Sequence, residues 1–151
     1  MSTVNTIGSG SSSVSGGVVG QHATVAPETD PDTRWWWEAL GRGELLVPHC
    51  TSCDGSFFPP TPACPHCGST ALDRRPSTGL GRIYSWITVH IAQDPAFVGE
   101  VPYTVVAVHL DEGARLFGRI ANGPLEDADR VRAVPYSVDG TVLLGFERVS
   151  E

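Results

Sequence analysis

Apolar and polar positions alternate in short runs through the second half of the chain. These runs are separated by turn sequences at residues 111–113, 122–124 and 139–140, a pattern that is typical of β-strands joined by tight turns. We predict five strands, near residues 80–90, 103–110, 114–120, 131–138 and 141–148. Five short strands favour a small barrel of the OB type over a sandwich, which usually has about seven.

The first of these strands has two chemically different faces if it alternates without interruption. Side chains two residues apart point to the same face of a strand. One face would carry Ile83, Ser85, Ile87 and Val89, and the other Tyr84, Trp86, Thr88 and His90. The second face either covers the barrel or forms a surface for a ligand or partner, since OB barrels commonly bind along this side.

The N-terminal region changes character near residue 33. Residues 1–33 are mostly Ser, Gly, Thr and Val without a helical or strand period, and we expect a disordered tail there. Thr33 as a cap and Gly41 and Gly43 as stops predict a short helix within residues 34–46. Three consecutive tryptophans sweep about 200° around a helix, so one shallow core does not bury them all. The outward ones are either merely exposed or part of a partner interface.

Composition narrows the possible chemistry. The chain has 151 residues and a formal net charge of −7, and its ten basic residues are all arginine. The absence of lysine excludes Schiff-base catalysis and Walker-type phosphate loops. The acidic balance argues against a nucleic-acid-binding module, the rival function for zinc-ribbon and OB domains.

No signal peptide or membrane-spanning run is found in the sequence, so we expect a cytoplasmic protein without a membrane partner.

Four cysteines give the strongest chemical signal. Two Cys-x-x-Cys pairs, separated by ten residues, have the two-knuckle spacing of a zinc ribbon, with Cys50, Cys53, Cys64 and Cys67 as ligands. Four thiolates fill a tetrahedral zinc, so we expect one structural ion per chain rather than a catalytic one. There are two alternatives: a redox role for either cysteine pair, or a histidine ligand supplied by His49 or His66.

The remaining candidates for catalysis are weak. His90 with Asp94, and His109 with Asp111, resemble acid/base pairs, but such neighbours are common in turns. No nucleophile elbow is present in the sequence. We therefore predict no catalytic residue, and an independent enzyme acting near His90 is kept as a rival.

Several segments resemble one known family when they are taken in order. They are residues 36–46, residues 58–60 before the Cys64-Pro-His-Cys67 knuckle, residues 81–86, and residues 101–103 leading to 110–113. The chain resembles the DUF35 family, whose members join a short helical segment, a rubredoxin-like zinc ribbon and an OB-fold barrel. The resemblance covers about residues 34–149 and implies a mainly β architecture: a tail at 1–33, a helical segment at 34–46, the ribbon at 47–78 and the barrel at 79–151.

The resemblance also implies a function. DUF35 proteins are accessory subunits of enzymes acting on coenzyme A thioesters, and they stabilise the partner and shape its acyl-CoA site. We expect a thiolase-fold thiolase or retro-aldolase in lipid or steroid side-chain degradation as partner, with a MaoC-type enoyl-CoA hydratase as alternative. Acyl-CoA is a possible shared ligand, with Arg82 and Arg119 as phosphate contacts. The expected partner interface comprises Trp35, Trp36, Trp37, Phe57, Phe58, Tyr84, Trp86 and His90.

Overall fold

The computed structural model describes residues 26–138 and 140–150. Most of the predicted tail, and Asp139 of the last predicted turn, lie outside the described residues. One helix and seven strands follow in order: α1 (Arg34–Gly41), β1 (Leu46–Cys50), β2 (Leu72–Pro76), β3 (Leu80–Val89), β4 (Tyr103–Leu110), β5 (Arg115–Ile120), β6 (Arg130–Val138) and β7 (Thr141–Arg148). A single 3-10 turn, Pro95–Phe97, lies between β3 and β4.

Helix α1 is short and has one buried stripe. Trp36, Ala39 and Leu40 are buried, at the three- and four-residue spacing that brings side chains to one helix face. Thr33 is at the N-cap but makes no side-chain cap bond; instead its hydroxyl donates to the carboxylate of Asp30 at 3.0 Å. Gly43, two residues after the end of the helix, is left-handed with φ of 79°, a conformation that glycine adopts without steric cost.

The fold class predicted from the sequence is confirmed. Strands β1 and β2 form a two-stranded antiparallel sheet, and the other five close into a barrel in the order β3-β4-β5-β7-β6. The structure is thus mainly β, with a short helix, a zinc ribbon and a five-stranded OB-fold barrel. β6 and β7 form an antiparallel hairpin, with Val138 opposite Thr141.

One core connects the helix to the barrel. Strand residues such as Ile83, Val106 and Phe146 fill the barrel interior, and α1 adds Trp36 and Leu40. Leu45, just before β1, and Val47, within it, belong to the same cluster. The ribbon is therefore attached to the barrel through apolar packing of its first strand.

The barrel is only narrowly closed between its first strand and β6. β3 pairs with β6 through Leu80, Gly81 and Arg82 alone, whereas its pairing with β4 extends from Gly81 to Val89. The second half of β3 therefore has one edge without a described strand partner.

A β-bulge changes which side chains of β3 share a face. The pairing with β4 shifts between Ile83 and Ser85, so Tyr84 is an extra residue. Ile83 and Trp86 now lie opposite Val108 and Val106, both buried in the barrel. The prediction that alternation continues unbroken from Ile83 to His90 is wrong, because one extra residue reverses the faces of all that follow.

Gly81 provides a test of the barrel closure. A Cβ atom at this position would lie 2.4 Å from the carbonyl oxygen of His109 and 2.7 Å from Cγ1 of Val108. We expect Gly81→Ala to lower the free energy of unfolding by about 1–3 kcal/mol, measured by urea denaturation. Gly99→Ala is the matched control, since nothing lies within 4 Å of its added Cβ. Equal stability of the two variants would contradict this packing.

Candidate metal centre and contact surfaces

The four cysteines meet at one point in the ribbon. Their Sγ atoms all lie within 4.8 Å of one another, and the Cys50–Cys67 and Cys53–Cys64 sulfurs are 3.6 and 3.7 Å apart. A tetrahedral zinc with Zn–S bonds of about 2.3 Å places its sulfurs about 3.8 Å apart. The donor set and its spacing therefore fit a structural zinc ion.

Two similar turns carry the ligands. The amide of Asp54 donates to the carbonyl of Cys50, and that of Gly68 donates to the carbonyl of Cys64, each at 2.9 Å. Asp54 and Gly68 both have left-handed backbones, with φ of 62° and 78°. Asp is among the few residues other than glycine that enter this region readily, which explains why the first knuckle turns without a glycine at this position.

Backbone amides and crowding give the thiols different acidities. The pKa of Cys50 is lowered to about 6, chiefly by the amide of Cys53. The amide of Gly55 also favours the Cys53 thiolate, but burial and the neighbouring thiols outweigh it and raise the pKa of Cys53 to about 12. The Cys67 pKa is raised too, with its neighbour Cys50 outweighing the Ser69 amide. A bound divalent cation supplies the charge that keeps all the thiols deprotonated.

His49 supports the first knuckle from behind. It is buried, and its Nε2 lies 2.8 Å from Asp54 Oδ1 while its Nδ1 lies 3.0 Å from Ser56 Oγ. Both ring nitrogens thus have partners outside the sulfur cluster. The four grouped ligand atoms are all cysteine sulfurs, so the structure favours the all-cysteine site over a histidine ligand.

Two of the expected interface residues are inside the molecule. Trp36 and Phe57 are buried: Trp36 packs in the core shared by α1 and the barrel, and Phe57 packs with Cys50 and Cys64 in the ribbon. We correct the prediction for these two residues, because a side chain enclosed by its own chain has no surface to offer a partner.

The other expected interface residues keep some exposure. Trp35, Trp37 and Phe58 are half-buried against the core. Tyr84 is 53% exposed and Trp86 39%, and His90 is also exposed. They lie in two places: around α1 and the ribbon loop, and along the second half of β3.

Additional exposed apolar side chains were missed from the sequence: Ile87, Ile91, Val98 and Phe117. The bulge at Tyr84 turns Ile87 outward, and nothing in a single sequence marks that bulge. Phe117 had a signal, because it lies between Arg115 and Arg119 at the spacing of one strand face.

The two arginines expected to contact phosphate have different surroundings. Arg82 is exposed, and one of its Nη atoms donates to the carbonyl of Ala128 at 3.1 Å. The Arg119 side chain is only 11% exposed; it pairs with Glu100 at 2.7 Å and stacks 3.8 Å over the Tyr103 ring. Arg82 is therefore available to an external phosphate, whereas Arg119 fastens the loop before β4 onto the barrel.

The histidine–aspartate neighbours do not form acid/base pairs. Asp94 accepts the amide of Ala96 at 2.8 Å as the cap of a 3-10 turn, and both oxygens of Asp111 accept from Arg130. His109 accepts from Arg115 at 2.7 Å. In the described part of the chain, neither aspartate is hydrogen-bonded to its neighbouring histidine.

Over the same residues, no helix is long and apolar enough to cross a membrane.

Two family models match the chain in succession. Residues 37–73 match the model "ChsH2, rubredoxin-like zinc ribbon domain", and residues 74–135 match "ChsH2, C-terminal OB-fold domain". Both models agree with the ribbon and the barrel that the structure shows.

Some relatives are matched over most of their length and others over only a part of it. A "DUF35 domain-containing scaffold protein" of Methanocaldococcus jannaschii is 32% identical over 123 residues, which is 76% of this chain and 86% of that protein. A "Probable enoyl-CoA hydratase alpha subunit" of Thermomonospora curvata is 41% identical over 90 residues, 60% of this chain. The match spans only 28% of the hydratase subunit's length.

A solved structure has the same arrangement of domains. A chain of the "Ltp2-ChsH2(DUF35) aldolase" superposes with a TM-score of 0.71 at 34% sequence identity. The match covers 81% of this chain and 98% of that one.

The metal centre is tested by removing one ligand. We expect Cys64→Ser to lose the bound zinc and to unfold the ribbon, because the binding energy of a structural zinc is also folding energy. Metal analysis should fall from one zinc per chain to none. Ser52→Ala, an exposed change inside the first knuckle, should keep its zinc. Native stability in a metal-free wild-type protein, with four freely titrating thiols, would contradict a structural role.

Proposed function

Because the chain belongs to the DUF35 family, which joins a zinc ribbon to an OB-fold barrel, we propose that it is a noncatalytic accessory subunit of an enzyme that acts on acyl-CoA thioesters. The leading partner is a thiolase-fold thiolase or retro-aldolase. The observation that carries this proposal is the match to 98% of a chain within the "Ltp2-ChsH2(DUF35) aldolase". The family resemblance extends the substrate class to lipid or steroid side chains.

The chemistry of the described residues supports a role without catalysis. The thiols converge on one closed metal site, where a four-coordinate ion has no open position for a substrate. Asp94 and Asp111 are engaged by a turn amide and by Arg130. The partner enzyme would therefore supply the reacting groups.

The proposed contact surface consists of exposed apolar and aromatic side chains. Around α1 it includes Trp35, Trp37 and Phe58, which pack on the core but keep part of their surface. Along the barrel, Tyr84, Trp86 and His90 are joined by Ile87 and Phe117, which are 62% and 63% exposed. Aromatic and arginine side chains are enriched where protein interfaces have their strongest contacts.

Acyl-CoA is the proposed shared ligand of the complex, and Arg82 is the proposed phosphate contact of this chain. An exposed guanidinium suits phosphate well because its planar donors match the phosphate oxygens. We place the complex in the cytoplasm, because reduced thiols persist there as metal ligands.

A hydratase is the second candidate partner. The hydratase alpha subunit of Thermomonospora curvata has 41% identity to this chain within the matched segment. That segment is a minor part of the subunit, however, whereas the aldolase chain is matched almost throughout. We therefore rank the thiolase-fold partner first.

Co-expression with a thiolase-fold subunit encoded by a neighbouring gene tests the proposal. We expect the two proteins to elute together in gel filtration and the partner to need this chain for full activity. The corresponding experiment with a hydratase subunit distinguishes the two candidates. Separate elution of this chain from both enzymes, each of them fully active alone, would refute the accessory role.

A single exposed residue tests the barrel part of the contact surface. Ile87→Asp should weaken the complex at least about tenfold, because a charge would have to be desolvated in an apolar contact. Ser137→Asp, which adds the same charge at an exposed position on β6, is the control. Both variants should unfold at the wild-type temperature. Unchanged affinity of the Ile87→Asp chain for its partner would remove this face from the interface.

A further inference from the structure

An open hollow lies beside the second half of β3, away from the metal centre. It is lined by Tyr84, Ser85, Trp86 and Asp127 and has a volume of about 570 Å³. It borders the stretch where β3 no longer pairs with β6, and the bulge sets Tyr84 at its wall. We call it the Tyr84 hollow. Bulges often re-aim a side chain at a functional site.

A row of basic side chains crosses the outer face of the barrel next to this hollow. Arg82 lies opposite His109 in the β3–β4 pairing, and His109 lies opposite Arg115 in the β4–β5 pairing. The Arg82 guanidinium donates to the carbonyl of Ala128, the neighbour of Asp127 in the hollow. Arg82 is therefore at the edge of the Tyr84 hollow.

The Tyr84 ring is supported from one side. Cζ of Arg115 lies 3.9 Å from its centroid, and the His109 ring lies 4.7 Å from it. Arg115 and His109 are hydrogen-bonded to each other at 2.7 Å, so both lie against the same face of the ring. Because half of Tyr84 is exposed, the ring offers surface for a second planar group to stack on.

The two arginines of this row differ from most others in the chain. Arg42, Arg75, Arg119, Arg130, Arg132 and Arg148 each lie within 4.0 Å of a carboxylate. Within the described ranges, no carboxylate lies that close to Arg82 or Arg115. The nearby Asp111 carboxylate is bound at both oxygens by Arg130. Arg82 and Arg115 thus bring two positive charges without a directly paired carboxylate beside the Tyr84 hollow, and Asp111 attracts Arg82 only from beyond 4.0 Å.

We propose that the Tyr84 hollow binds a phosphorylated nucleotide, with Arg82 and Arg115 holding the phosphate and the Tyr84 and Trp86 rings contacting the base. Asp127 sets the direction of binding. Its carboxylate repels phosphate but accepts hydrogen bonds from amino and hydroxyl groups, so the sugar or base lies toward it and the phosphate toward the arginines. That the natural ligand is the nucleotide end of coenzyme A rests on the proposed function, whereas the site itself does not.

A single nucleotide fits these observations better than a nucleic acid strand. A strand needs positive charge along a groove and several stacking rings in succession. Beside this hollow there are two arginines without a directly paired carboxylate, and the chain as a whole has a net charge of −7. In OB barrels, the face of the second and third barrel strands binds oligonucleotides and oligosaccharides. These strands are β4 and β5 here, and they carry His109 and Arg115.

Calorimetric titration of the zinc-loaded chain tests the site without a partner enzyme. The ligands are ADP, coenzyme A, 4′-phosphopantetheine, inorganic phosphate and a short single-stranded DNA. We expect ADP and coenzyme A to bind with affinities within about tenfold of each other, and phosphopantetheine and phosphate to bind at least about tenfold more weakly. If neither ADP nor coenzyme A binds at millimolar concentration, the proposal is overturned.

The other ligands exclude different explanations. Phosphate or phosphopantetheine binding as tightly as ADP would show an anion site without base recognition and would overturn the nucleotide assignment. Tighter binding of the DNA, with a steep loss of affinity in added salt, would replace the proposal by a strand-binding face. Coenzyme A binding at least about tenfold more tightly than ADP would place the main contacts outside the nucleotide and would also contradict the proposal.

Matched variants locate the site. Arg82→Ala and Tyr84→Ala should each weaken ADP binding about tenfold, since each removes a charge-assisted hydrogen bond or a stacking surface. Arg75→Ala removes the same charge from the ribbon, and Tyr84→Phe keeps the ring; both should bind as the wild type does. If Tyr84→Ala does not fold, Arg82→Ala and the Asp127 variant below still decide the outcome.

The Asp127→Asn variant distinguishes a nucleotide site from a site for a simple anion. The change removes a negative charge and replaces one of the two carboxylate acceptors with an NH₂ donor, so ADP should gain less affinity than inorganic phosphate does. Equal gains for the two ligands would contradict the predicted orientation. Because these titrations use the chain alone, a negative result leaves the accessory role intact, and failure of complex formation leaves the nucleotide site intact.

Discussion

The four-sulfur cage is the constraint on which the ribbon depends. The ribbon buries only a small apolar cluster of its own, made of Cys50, Phe57 and Cys64 with Leu72 packed against it. Such a cluster buries too little surface to offset the chain entropy of two long turns. A metal ion joining the two knuckles supplies the missing free energy. β1 then connects the cage to the barrel, since Val47 packs in the barrel core and Cys50 is a ligand.

The barrel, in contrast, leaves one edge of β3 without a strand partner because β3 and β6 pair over only a short stretch. Three residue pairs join β3 to β6, and the bulge at Tyr84 reverses the faces of the strand beyond it. Ile87 consequently points outward, and Trp86 beside it is partly exposed where β3 has no strand partner on one edge. The proposed partner contact and the proposed nucleotide site lie side by side on this part of the barrel. Both include Tyr84 and Trp86, whereas the apolar Ile87 belongs to the partner contact alone and the arginine row to the nucleotide site alone.

Much of the architecture was predictable because it follows from local chemistry. The cysteine spacing identifies the cage, since two Cys-x-x-Cys turns have few other uses. The five strands were placed within two residues of their observed ends, because alternation and turn residues are local signals. Other features depend on distant residues: the Glu100–Arg119 pair joins a loop to β5, and Phe57 is buried only because the knuckles fold around it. Neither the bulge nor these contacts leaves a mark in the sequence pattern.

Hydrogen exchange before and after zinc removal measures most directly whether the metal holds the ribbon as a rigid unit on the barrel. The account predicts that chelation exposes the amides between the two knuckles to fast exchange, while those of the barrel strands β4, β5 and β7 stay protected. Unchanged protection of the knuckle amides in the zinc-free protein would contradict it.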